Sequence, residues 1–150
     1  MLLPITAFSQ TKEKAQNALV KELNTILRIS DQHHWAYEGK MTVDSAFAID
    51  KNGILSMTVN YKTDSTNIKV RMEAPIYKAR SVFYDLYLIL EYGQDEVKVF
   101  EIVNETGKKE EKHEYKNSLF HIALPLENGY KKQFILENLL QKVLKFYELR

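Results

Sequence analysis

The hydrophobic period of this chain changes twice, and that change constrains the fold more than any single motif. Up to Leu27 apolar residues recur at helical spacing; from Trp35 they alternate; after Glu127 the helical spacing returns. Alternating runs joined by short turns pair antiparallel, and an antiparallel sheet can leave one face to water. Two flanking helices can then cover the other face. The sequence therefore predicts an α+β domain. Its parts are an N-terminal helix, an antiparallel meander sheet of about six or seven strands, and a long C-terminal amphipathic helix packed on one sheet face.

In "TKEKAQNALVKELNTILRIS", Ala15, Leu19, Leu23, Ile26 and Leu27 form one stripe of a helix. In the C-terminal run, Leu136, Leu139, Leu140, Val143, Leu144 and Tyr147 form another. Between them, Asp50-Lys51-Asn52-Gly53 separates two alternating runs and reads as a hairpin turn. Ile68, Val70 and Met72 mark a further strand, which Pro75 ends because it lacks a backbone donor. "SVFYDLYLILEYG" reads as one central strand, "EVKVFEIV" as the next, and "HEYKNSLFHIALPL" as one long strand or two short ones.

With 150 residues, 45% hydrophobic and 27% charged, the chain is the size and composition of one globular domain. The 21 basic and 20 acidic residues leave a net charge of +1, without the basic excess that phosphate neutralisation requires, so no nucleic-acid partner is expected. Cysteine is absent, which excludes thiol catalysis, cysteine-ligated metals and a cysteine lipid anchor. There is no run of about 18 apolar residues, hence no integral membrane helix is expected.

The candidate chemistry is sparse. "DQHHW" sets His33 and His34 beside Asp31, but adjacent strand residues point to opposite faces and no two-ligand helical spacing accompanies them, so no metal is expected. There is no nucleophile elbow and no phosphate-binding glycine loop, so neither enzyme activity nor a cofactor is expected. Asp85 is the most unusual polar placement, sharing a strand phase with Phe83, Tyr87 and Ile89 while leucines occupy the other. The leucine face suits the helix-packed core, leaving the Asp85 face partly solvated. With nine tyrosines and Trp35, the strands are rich in side chains that combine apolar area with a hydroxyl or N–H. The candidate ligand-binding residues are Trp35, Tyr37, Tyr84, Asp85 and Tyr87.

The expected function is non-enzymatic binding of a protein, peptide or other ligand through the aromatic-rich sheet face, by a monomer or weak homodimer. The alternative is a carrier holding a small apolar ligand or lipid between the sheet and the C-terminal helix. An acid/base enzyme using Asp85 or His34 is a third reading, which requires those side chains to line a pocket.

"MLLPITAFSQ" bears on compartment. Pro4 would interrupt a strand ladder, whereas an apolar stretch followed by Ala7-Phe8-Ser9 matches the end of an export signal, although no Lys or Arg precedes it. Residues 1–9 are thus expected to be a signal remnant and 10–150 the domain. The expected location is bacterial periplasm or exterior, with the cytoplasm as the alternative. N-terminal sequencing of the protein from its host should read Gln10 first; a chain retaining Met1 contradicts the expectation.

Overall fold

The computed structural model describes residues 5–29, 37–85, 87–123 and 127–148, with backbone alone for 5–10 and 123. Helix α1 spans Ile5–Ile29 and α2 spans Gly129–Glu148. Between them run β1 (Lys40–Ile49), β2 (Ile54–Lys62), β3 (Thr66–Pro75), β4 (Ser81–Asp85), β5 (Tyr87–Glu91), β6 (Val97–Glu105), β7 (Glu111–Asn117) and β8 (Leu119–Ala123). Five strands form one antiparallel sheet in the order β1-β2-β3-β6-β7, and three form a smaller one in the order β4-β5-β8. The α+β class and the two terminal helices agree with the sequence. The expected boundary at Gln10 lies within α1, and Trp35, His33 and His34 lie outside the described residues.

The first hairpin is built by its turn. Asp50 Oδ1 accepts the amides of Asn52 at 2.8 Å and Ile54 at 2.9 Å, while Gly53 takes a positive φ of 79° that a side chain would resist. Pro75 closes β3 as expected, and the next amide, Ile76, bonds back to the Gly53 carbonyl at 2.8 Å.

The segment expected to be one central strand is instead a hairpin, β4–β5, with Asp85 opposite Tyr87 and Tyr84 opposite Leu88. Periodicity could not reveal this reversal. Cross-strand partners share a face, so residues of equal parity stay on the same side whether the chain continues or turns back. No glycine or proline marks the turn. The two faces are still as expected: Leu88 and Leu90 are fully buried, while Phe83 and Asp85 are exposed.

The two sheets are joined by one long hairpin. Strand β5 runs on into β6, and β7 runs on into β8, so both arms pass from one sheet to the other. They bend at the turn before Val97, where Asp95 has a φ of 61°, and at Ser118, whose carbonyl accepts the Tyr92 amide at 2.8 Å. The inner faces of both sheets and one stripe of each helix share a single core, in which Phe47 of β1 meets Phe120 of β8 at 5.9 Å. Leu19, Leu23 and Ile26 of α1, with Leu136, Leu140 and Val143 of α2, are fully buried there.

The helices also seal two strand edges with side chains. Asn24 of α1 both accepts from the Phe47 amide at 2.8 Å and donates to its carbonyl at 3.1 Å, where the β1 register slips. On α2, Glu137 accepts the Val82 amide at 2.6 Å and Gln133 donates to the Val82 carbonyl at 3.1 Å. Unpaired strand edges invite pairing with other chains, so these bonds both stabilise and protect. Replacing Glu137 by Leu, or Asn24 by Leu, should cost about 1–3 kcal/mol in urea unfolding, because a strand amide is left without a partner. Glu137→Gln, which keeps an acceptor, should cost less; equal losses for Gln and Leu would contradict the edge-sealing role.

Candidate functional site

Strand β6 alternates Val97, Val99, Glu101 and Val103 on one face, so a carboxylate interrupts an otherwise apolar stripe. The register sets Glu101 between Val70 of β3 and His113 of β7, on the inner face of the larger sheet. Tyr37 and Tyr115 both donate their hydroxyls to Glu101 Oε1, Tyr115 at 2.8 Å, and the two phenol oxygens lie 3.4 Å apart. The Tyr37 ring stacks on Tyr61 with centroids 4.6 Å apart, which ties the cluster to the core. Tyr115 is 43% exposed, so the cluster opens to solvent on the β7 side. Beside it, His113 Nε2 lies 3.2 Å from Glu111 Oε2.

Burial pushes the Tyr37 phenol far above its ordinary value, and the hydrogen bond and negative charge of Glu101 add to this. Burial also raises Tyr115, Tyr61 and Tyr92. Neutral phenols are what a two-donor clamp on a carboxylate requires. The clamp occupies one oxygen of Glu101 and keeps the negative charge beside aromatic walls. Such a site suits a cation that can pair with the carboxylate and lie against a tyrosine ring.

Of the described residues singled out from sequence, Tyr37 belongs to this cluster, and Tyr84, Asp85 and Tyr87 do not. The Tyr84 ring lies on the inner face of the smaller sheet, so close to Gly129 that a Cβ there would fall 1.9 Å from it, and its edge meets Tyr130 at 5.0 Å. Asp85 is exposed at the end of β4, which removes the basis for an acid/base role on that residue. Tyr87 lies on the opposite face from Tyr84, edge-on to His121 at 5.9 Å, and burial lowers the pKa of that histidine. Trp35 lies outside the described residues. The four described residues thus do not form one surface.

Glu101 and Tyr115 were missed because neither belongs to a motif. The available signal was the glutamate in the apolar phase of β6, legible only once β6 and β7 are placed in register. Among the described residues, no three His, Asp or Glu side chains come together as a metal site. The interface between α2 and the sheets, where the carrier reading set a cavity, is packed by Leu136, Leu140 and Val143.

No known family model matches the chain, and neither the curated proteins nor the solved structures provide a match.

The four raised phenols make stability depend on alkaline pH. Their folded pKa values exceed the ordinary value of 10.0, so their contribution is intact below pH 10 and is lost as pH rises above it, where the unfolded chain ionises first. In an alkaline titration their tyrosinate absorbance should appear together with loss of circular dichroism. Tyr37→Phe should shallow this dependence and cost about 1–3 kcal/mol at neutral pH. Full tyrosinate absorbance in a still-folded protein would contradict the burial described.

Proposed function

We propose that the chain is a non-enzymatic, exported binding domain that takes an extended, basic segment of a protein partner along β7. The observation that carries this reading is an edge strand with no seal beside a clamped carboxylate. Strand β7 is last in the larger sheet, and among the described residues no helix side chain bonds to its backbone, in contrast to β1 and β4.

Strand addition supplies affinity through main-chain hydrogen bonds and specificity through alternate side chains. A strand laid on β7 would direct every second side chain toward Glu111, His113 and Tyr115, with Glu101 behind them. Lysine or arginine at those positions gains carboxylate partners and tyrosine faces. Lys112, Glu114 and Lys116 occupy the other phase and are exposed, a charged guard against indiscriminate pairing. The apolar opening of the chain supports the exported location.

Titrating isotope-labelled protein with an alternating Lys–Thr peptide should shift the amides of β7 and its neighbours. A matched Glu–Thr peptide should not. Glu101→Gln should weaken binding of the Lys–Thr peptide about tenfold, and salt should weaken it further. Equal responses to both peptides, or β7 amides protected by self-association of the protein alone, would overturn the proposal.

A further inference from the structure

A second concave surface lies away from the strands, in a groove between α1 and α2. Its floor is Ala15 and Ala18 on α1 with Leu139 and Phe146 on α2, and its volume is about 400 Å³. That volume falls in the range of small-molecule sites, roughly 300–1,000 Å³. The groove follows from helical spacing: Thr11, Lys14, Ala15 and Ala18 lie on one face of α1, next to the stripe that enters the core. Ala15, at the N-terminal end of the core stripe, and Ala18 beside it are small, which leaves the trough between the helices.

Its rim is one-signed. Lys14, Lys142 and Lys145 border the groove, and among the described residues no acidic side chain lines it. None of the three forms an ion pair among the described residues, whereas Lys132, on the same helix as Lys142, is paired with Glu22 at 3.3 Å. Like charges held around an apolar trough repel one another, and a bound anion relieves that repulsion. Their stems can line the groove while the ammonium groups reach its mouth.

We propose that this groove binds a single-chain amphiphile with an acidic headgroup, the chain on the alanine–leucine–phenylalanine floor and the carboxylate between the lysines. A free amphiphile fits better than a bilayer surface, because membrane-lying helices insert protruding apolar residues and this floor is recessed. The inference is independent of the β7 reading.

Calorimetry with sodium dodecanoate below its micellar concentration should give saturable one-to-one binding, while dodecyltrimethylammonium should show none. The double variant Lys142→Gln, Lys145→Gln should lose about tenfold in affinity. Ala18→Leu, an exposed position at the floor, should abolish binding while leaving the unfolding midpoint unchanged. Equal binding of both amphiphiles, full affinity in Ala18→Leu, or protein that sediments with anionic phosphatidylglycerol vesicles but does not bind dodecanoate would each overturn the proposal.

Discussion

A single bent hairpin governs this fold. Strands β5 and β6 form one arm and β8 and β7 the other, and the bend at Tyr92 and Ser118 turns a potentially flat sheet into two that share a core. Without it, Phe120 and Ile122 would not meet the stripe of the larger sheet, and neither helix could bury its leucines against both. The bend also multiplies edges. One sheet has two, two sheets have four, and every edge carries backbone groups that need partners. The helices answer part of that demand with Asn24 on β1 and with Gln133 and Glu137 on β4. Among the described residues, the other two edges, β7 and β8, receive no such helix side chain on their backbone.

Much of this was legible in the sequence. Helical stripes, the Asp50–Gly53 turn, the end of β3 at Pro75 and the buried leucine face of β5 all follow from local chemistry and period. Division into two sheets was not legible, for a specific reason. The β4–β5 reversal preserves parity, so Tyr84, Leu88 and Leu90 keep the phase a continuous strand would give them. A period of two records which face a side chain takes and is blind to the direction of the chain. That parity already separates Tyr84, in the leucine phase, from Asp85 and Tyr87, and the structure keeps them on opposite faces, with Tyr84 against Gly129.

The candidate site illustrates the complementary failure. Glu101 sits in the apolar phase of β6, a local inconsistency of the kind that marks functional or strained positions. Its explanation is non-local: Tyr37 precedes it by 64 residues and Tyr115 follows by 14. A buried-phase glutamate becomes tolerable only when donors arrive from elsewhere, and two phenols kept neutral by burial are efficient donors for it. Sequence could flag the residue but could not supply the partners.

A net charge of +1 conceals local clusters of like charge. Among the described residues, four lysines are matched: Lys69 with Asp44, Lys78 with Glu96, Lys108 with Glu105 and Lys132 with Glu22. Two surfaces depart from that balance in opposite directions. The inner face beside β7 collects Glu101 and Glu111 around aromatic rings, and the α1–α2 groove collects Lys14, Lys142 and Lys145 around an apolar floor. If charge were set for solubility alone, lysines and glutamates would intersperse on both. Keeping them apart costs self-repulsion at each surface, which a ligand of opposite sign would offset. The near-neutral total thus includes two local clusters of opposite sign on separate surfaces, which an average over the whole chain does not reveal.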